Sequence, residues 1–227
     1  MKIVVFPDIH QTTHWAHALK KIDFDKIDKF LFLGDYFDCW ENKWPLQLDN
    51  FKMILKFKES MPDRVDVLWG NHDTSYFLGE KCSGFQPHHE LDIQEFIMKN
   101  RNQLEVVAIY DKFIFSHGGV SQTWLKLCGL KDVTEINQLF KERPNFFRWA
   151  GPDPFGNNKV EGPLWIRPGA LMETSVKEYN QIVGHTEVDK LKWKISPNSQ
   201  KKVLCIDSRT HENIILLDTE KEEFKLI

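Results

Sequence analysis

Short apolar runs alternate with polar punctuation along the chain, and five of those runs end alike. Ile3 to Phe6 leads to Asp8 and His10, Phe30 to Leu33 to Gly34, Asp35 and Asp38, and Val65 to Trp69 to Gly70, Asn71, His72 and Asp73. Phe113 to Ser116 leads to His117, Gly118 and Gly119, and Gln181 to Val183 to Gly184, His185 and Thr186. Runs this short and continuous, rich in β-branched and aromatic residues, predict strands buried on both faces. Each such strand delivers its Asp, Asn or His to its carboxyl end.

Helical periodicity fills the gaps. Thr12 and Thr13 are placed to cap a helix through Trp15, Ala18 and Leu19. Phe51, Ile54, Leu55 and Phe57 predict a helix from Leu48 to Ser60. The first three strands are therefore expected to be parallel, joined by right-handed crossovers. Further helices are predicted at Asp92 to Lys99, Gln122 to Leu127, Val133 to Lys141 and Glu173 to Tyr179. Leu104 to Ile109 and Lys112 to Ser116 read as a hairpin turned at Tyr110-Asp111. Leu191 to Ile195, Val203 to Ile206 and Ile214 to Leu217 read as strands of a second sheet. Residues 143–170, rich in Pro, Gly and aromatics, read as a long ordered insertion over the strand ends. One domain over residues 1–227 is the expected organisation.

Composition narrows the classes without choosing among them. Hydrophobic residues make up 41% and charged residues 28% of the 227 residues, ordinary globular values. No apolar run approaches the roughly 18 residues of a spanning helix, and the apolar run after Lys2 is far shorter than the roughly 7 to 15 residues of a signal-peptide core. Neither a membrane association nor export is expected. A net charge of −3 without long blocks argues against a general nucleic-acid surface. Cys39, Cys82, Cys128 and Cys205 lie far apart with no Cys-x-x-Cys pair, so reduced thiols in a cytoplasmic protein are expected rather than a disulfide framework or structural zinc.

The candidate ligands are Asp8, His10, Asp35, Asn71, His117 and His185. Carboxylate, imidazole and amide oxygen without thiolate suit Mn²⁺, Fe or Zn²⁺, with Mn²⁺ the first choice. Six side chains overcrowd one ion, so two divalent ions bridged by a carboxylate are expected, and Asp35, early in its loop, is the natural bridge. A metal pair about 3.5 to 4 Å apart activates water and holds phosphate oxygens during in-line displacement. His72 is placed to protonate a leaving group, and Asp38 to fix its tautomer.

In order, Asp8-Ile9-His10, Gly34-Asp35-x-x-Asp38, Gly70-Asn71-His72-Asp73, His117-Gly118-Gly119 and Gly184-His185 resemble the motif set of the calcineurin-like metallophosphoesterase superfamily. His117-Gly118-Gly119 and the segment from Leu164-Trp165 to Pro168 are most similar to its phosphoprotein-phosphatase branch, of bacterial and phage type. The resemblance spans about Met1 to Asp207. It implies an α/β fold, a four-layer α/β/β/α sandwich of two mixed sheets flanked by helices, with a dinuclear metal site at the strand carboxyl ends. Position by position, Asp8, His10 and Asp35 resemble first-metal ligands, and Asp35, Asn71, His117 and His185 second-metal ligands. His72 and Asp38 resemble the acid dyad, and Arg167 a phosphate-binding arginine.

Two departures bear on the substrate. Where the branch continues Gly-Asp-x-x-Asp with Arg-Gly, this chain has Cys39-Trp40, and bidentate arginine is the strong grip on a phosphate dianion. Arg148 or Arg167 is the candidate replacement. Where many members carry Gly-His-x-His, this chain has Glu187, read as a further ligand or a solvated acid. Trp40 and Trp44 are read as packing residues of the insertion or as a nucleobase platform. His14 and His17 are read as helix-surface histidines, with His14 also a candidate to face the pocket, and His88, His89 and His211 are assigned no role.

The resemblance implies hydrolysis of phosphate esters by direct attack of a metal-bridging hydroxide, on a phosphoprotein, a nucleotide or a nucleic-acid end. A nucleotide phosphodiesterase, pyrophosphohydrolase or nuclease is the alternative enzyme, and a metal-free interaction scaffold the alternative outside catalysis. No stable protein partner is implied.

Overall fold

Ile3, Val4, Val5 and Phe6 are wholly buried in strand β1, Lys2–Phe6, as a continuous apolar run requires. The structure is a computed structural model and describes residues 1–10, 12–39, 44–153 and 155–227. It comprises two compact units, Met1–Glu105 with Thr210–Ile227, and Val106–Arg209. Each carries one mixed five-stranded sheet.

In the first unit, β1 pairs in parallel with β2, Lys29–Phe32, and β2 in parallel with β3, Val65–Val67. The crossovers contain helix α1, His14–Leu19, and helix α2, Trp44–Ser60. Trp15 of α1 and Phe57 of α2 meet Phe32 with ring centroids 5.7 and 6.4 Å apart, which buries both helix faces on the sheet. Thr13 does stand at the N-cap of α1, but its side chain makes no capping hydrogen bond. Helix α2 starts four residues before the expected Leu48, because Pro45 in its first turn costs no hydrogen bond there. Helices α3, Asn71–Leu78, and α4, Glu90–Asn100, follow β3.

The second unit holds β4, Val107–Tyr110, and β5, Phe113–Ser116, as the expected hairpin. Tyr110 stays in the strand opposite Phe113, so the turn is Asp111-Lys112, with Asp111 in the left-handed region at φ 52°. The sheet runs β4-β5-β6-β8-β7, with β6 Asn180–Val183, β7 Lys194–Ile195 and β8 Lys202–Cys205. Helices α5, Gln122–Leu127, and α6, Ile136–Glu142, fall where the periodicity put them. The helix expected at Glu173 to Tyr179 is displaced to α7, Pro168–Thr174, where Pro168 starts the helix and Ser175 leaves it to bridge Ser121. Ala170 and Leu171 of α7 pack on Val183 and Val203, covering that face of the sheet.

The tail corrects one expectation. Strand β9, Ile215–Asp218, joins the first sheet beside β1 rather than the second, and a further strand, β10, Glu223–Leu226, pairs with it. The burial of β9 alternates, as suits an antiparallel strand with one face covered, but alternation says nothing about which neighbour it takes. Residues 143–170 are ordered by their own polar contacts. Buried Glu161 accepts from the Gly151 amide at 2.7 Å, the Ala150 amide at 3.1 Å and Asn158 Nδ2 at 3.1 Å. Phe147 is fully buried against Trp124 and Phe140.

Candidate metal centre

In the first unit the loops after β1, β2 and β3 are stitched together by backbone. The His10 and Ile9 amides both donate to the Asp35 carbonyl, at 2.7 and 3.1 Å. The close approach of the β2 and β3 loops exists because Gly34 and Gly70 carry no side chains. A Cβ on Gly70 would lie 2.0 Å from Asp35 Oδ1, and one on Gly34 2.5 Å from the Gly70 nitrogen. Asp73, fully buried, completes the knot by accepting from the amides of Tyr36 at 2.8 Å, and of Asp35 and Gly70 at 2.9 Å. Sequence reasoning placed Asp73 in a motif without a task; its task is to hold the turn that presents Asp35.

His10, Asp35 and Asp38 all sit at positive φ, 36°, 54° and 66°. Such conformations cost about 1 to 3 kcal/mol each and persist where surrounding bonds over-determine them. Here those bonds aim the side chains. His10 Nδ1–H donates to the Phe37 carbonyl at 2.8 Å, which turns Nε2 to within 3.6 Å of Asp35 Oδ2. Burial, then the neighbouring His72, pulls the His10 pKa down to about 3, so the imidazole is neutral with a lone pair to offer. His72 Nε2 lies 4.0 Å from the same Asp35 oxygen, and ligand atoms of His10, Asp35 and His72 all fall within 4.8 Å of one another.

His72 Nδ1 is 2.9 Å from Asp38 Oδ2, the expected pairing, so that Nε2 faces Asp35. Asp38 is further held by a short hydrogen bond from the Tyr76 hydroxyl, a partner no motif announced. Burial raises the Asp38 pKa while His72 and Tyr76 act against that rise. Asp8 and Asn71 are buried, and the Asn71 amide nitrogen donates to Cys82 Sγ at 3.3 Å. His211 also enters this unit's site, its ring centroid 5.0 Å from that of His10. No periodicity or motif in the sequence signals it.

In the second unit His117 follows β5 and His185 follows β6. The two strands are parallel neighbours, and the Gly184 amide donates to the His117 carbonyl at 2.8 Å. The buried rings stand 4.9 Å apart, tilted by 59°. His185, at φ 61°, directs Nε2 to the Trp165 carbonyl at 3.1 Å, which assigns the proton there and the lone pair to Nδ1. Arg167 fastens the same loop: Nη1 donates to the His185 carbonyl at 2.7 Å and to Thr186 Oγ1 at 3.1 Å, and Nε to the Phe155 carbonyl at 2.9 Å. Arg148 and Glu187 are exposed.

Of the remaining sequence candidates, Trp44 stacks on His89, centroids 4.8 Å apart and planes within 12°, while Trp40 lies outside the described residues. His14 pairs with Glu212 at 3.6 Å. The donors are imidazoles with buried carboxylates in the first unit and a pair of buried imidazoles in the second, a nitrogen and oxygen set that fits divalent first-row metals.

Comparison with known proteins agrees with this chemistry. The family model described as calcineurin-like phosphoesterase matches residues 1–208. The catalytic subunit of serine/threonine-protein phosphatase 4 from Eremothecium gossypii is 24% identical over 159 residues, covering 66% of this chain and 49% of that protein. This chain spans between 35% and 49% of the length of the curated relatives it matches. Among solved structures, a cold-active protein-tyrosine phosphatase of a psychrophilic Shewanella species superposes with a TM-score of 0.60 at 17% identity, covering 96% of this chain and 75% of that one. A protein serine/threonine phosphatase from Saccharomyces cerevisiae superposes at 0.61 and 12% identity, covering 100% and 80%. At these identities the superpositions speak for the fold, two mixed sheets flanked by helices, whereas the family model spans most of the chain. The chain belongs to the calcineurin-like phosphoesterase family.

Proposed function

We propose that this chain is a phosphoester hydrolase working with two divalent metal ions, Mn²⁺ first among them and Fe or Zn²⁺ the alternatives. The observation that supports it most is Asp35 Oδ2, flanked by His10 Nε2 at 3.6 Å and His72 Nε2 at 4.0 Å. One carboxylate oxygen thus stands between a neutral, ligand-ready imidazole and a carboxylate-backed one. In this reading Asp8, His10 and Asp35 hold the first ion, and Asp35, Asn71, His117 and His185 the second. When bound, such a pair supplies Lewis acidity toward phosphate oxygens and a lowered pKa for water. His72, with Nδ1 fixed by Asp38, delivers the proton from Nε2 to the leaving oxygen, and Asp38 stabilises the charged ring before transfer. Phosphate passes to water without a covalent enzyme intermediate.

The substrate class follows less directly. A phosphoprotein is the first choice by likeness to the phosphatases above. A nucleotide or nucleic-acid end is the second reading, favoured by one observation: Cys39 stands where an arginine would grip a monoester dianion, and Arg167 is engaged with the His185 loop. Arg148 remains a candidate phosphate contact. Four cysteines without a disulfide fit a reducing compartment, and we place the protein in the cytoplasm.

The test is hydrolysis of p-nitrophenyl phosphate, its bis-ester and a nucleotide panel by Mn²⁺-loaded protein. Monoester turnover supports the first reading, and turnover confined to diesters or pyrophosphates the second. No turnover of any of them, with fewer than one metal ion bound per chain after Mn²⁺ is added, sinks the enzymatic reading in favour of a scaffold.

A further inference from the structure

Eight described residues other than glycine have positive φ. Asp111, Gln200 and Glu222 lie in the turns that join β4 to β5, β7 to β8 and β9 to β10. His10, Asp35, Asp38 and His185 are site residues. The eighth is His211, at φ 54° in the connection between β8 and β9, at the bend that follows the turn at Arg209-Thr210. A left-handed histidine costs free energy and marks a position that its surroundings insist on.

Those surroundings are specific. The Glu212 carboxylate lies 3.6 Å from His14 Nε2 and accepts from the Thr210 hydroxyl at 3.3 Å, while the Glu212 carbonyl accepts from the Ile214 amide at 2.7 Å. His14 opens α1, directly after the loop that carries His10, so the residues on either side of His211 are tied to the element beside the first half-site. The His211 ring lies against His10 at 5.0 Å and a tilt of 48°, and the His72 ring meets His10 at 4.9 Å. Two imidazoles, His72 and His211, thus lie against the His10 ring. His211 is not among the ligand atoms gathered within 4.8 Å around Asp35, and it is only half-buried, whereas Asp8 and Asp35 are buried.

We propose that His211 is a substrate-binding residue that donates a ring N–H to a phosphate oxygen, in place of the arginine missing after Asp38. The inference rests on the phosphoester-hydrolase reading. It follows from the balance of charge and donors. The first half-site presents the carboxylates of Asp8, Asp35 and Asp38, and the position after Asp38 offers a thiol. A phosphate entering there needs N–H donors beside it, and the half-buried imidazole against the His10 ring supplies one. A neutral imidazole donates as a charged one does, so the role does not depend on a particular protonation state.

The experiment compares wild type, His211→Ala and His211→Gln, each Mn²⁺-loaded, by calorimetric titration with Mn²⁺ and with inorganic phosphate, and by steady-state hydrolysis of p-nitrophenyl phosphate and its bis-ester. The expected result for His211→Ala is unchanged Mn²⁺ affinity, phosphate bound about 10-fold more weakly, and KM for the turned-over ester raised by a similar factor with kcat within about twofold. His211→Gln, which keeps an N–H donor, should recover most of the phosphate affinity. A tenfold loss of Mn²⁺ affinity in His211→Ala would make His211 a metal ligand and overturn the proposal. So would unchanged phosphate affinity, or a Gln variant as weak as Ala, which would mean packing rather than donation. Wild type that neither binds Mn²⁺ nor hydrolyses any ester breaks the hydrolase reading itself. An active wild type with an indistinguishable Ala variant breaks this inference alone.

Discussion

Each of the two units carries its own cluster of candidate ligands, and the two clusters are built differently. In the first, carboxylates dominate: Asp8, Asp35 and Asp38 are buried, His10, Asp35 and Asp38 have left-handed backbones, and Asp73 gathers three amides to keep the turn tight. In the second, two imidazoles stand on adjacent parallel strands, and a carbonyl and the Arg167 guanidinium fix how His185 is turned. Strain and charge concentrate where proton transfer is proposed; in the second unit the imidazoles are held still by backbone carbonyls and by the strand pairing. A half-site that must change protonation requires a partner for the charge that appears, as Asp38 is for His72. An imidazole proposed only to coordinate needs a fixed tautomer, as the Trp165 carbonyl provides for His185.

That contrast can be broken most severely at Asp35. Asp35→Asn should lower kcat/KM on the turned-over ester by on the order of 10³-fold or more, with the far-ultraviolet circular dichroism unchanged, because it removes the carboxylate proposed to bridge the two ions. Full activity in that variant would remove Asp35 from the bridge. Next, Asp38→Asn should lower kcat by about 10² to 10⁴-fold while leaving Mn²⁺ stoichiometry intact. Combining it with His72→Asn should cost little more than His72→Asn alone, since the two act as one unit. Independent, multiplying losses would mean that Asp38 acts elsewhere.

The smaller effect sharpens the comparison on the other side. Arg167→Ala should weaken Mn²⁺ binding about 10 to 100-fold through misplacement of His185, the usual scale for a residue that orients a ligand. Metal titration followed by KM measurement at saturating Mn²⁺ separates two roles. If metal affinity is unchanged and KM rises, Arg167 is the phosphate contact expected from the resemblance and not a clamp.

How far the amino-acid order carries can be seen residue by residue. Ile3 to Phe6 and Phe30 to Leu33 announce buried parallel strands because an unbroken apolar run puts apolar side chains on both faces of the strand, and the residues that follow must then emerge at a strand end. The pairing of His72 with Asp38 was legible for the same reason: both follow strands that the crossovers make neighbours, and they meet at 2.9 Å. Ile214 to Leu217 was legible as a strand but not as a neighbour of β1, since periodicity fixes which face is buried and leaves the partner open. The Trp44 start of α2 and the α7 helix moved because prolines set helix starts more firmly than apolar spacing does.

What the sequence by itself determined is the family: candidate oxygen and nitrogen ligands and a candidate histidine acid follow five strands, in a chain whose residues 1–208 match the calcineurin-like phosphoesterase model. That information is local, carried by a handful of residues beside each strand. The tertiary structure alone decided the supporting cast, namely Asp73 under Asp35, Tyr76 on Asp38, Arg167 on the His185 loop and His211 beside His10. Such residues act through contacts between segments distant in the chain, as His211 is from His10, and nothing in the spacing of either segment encodes the meeting. Only packing of the strands and their loops fixes which side chains come within a few ångströms of one another.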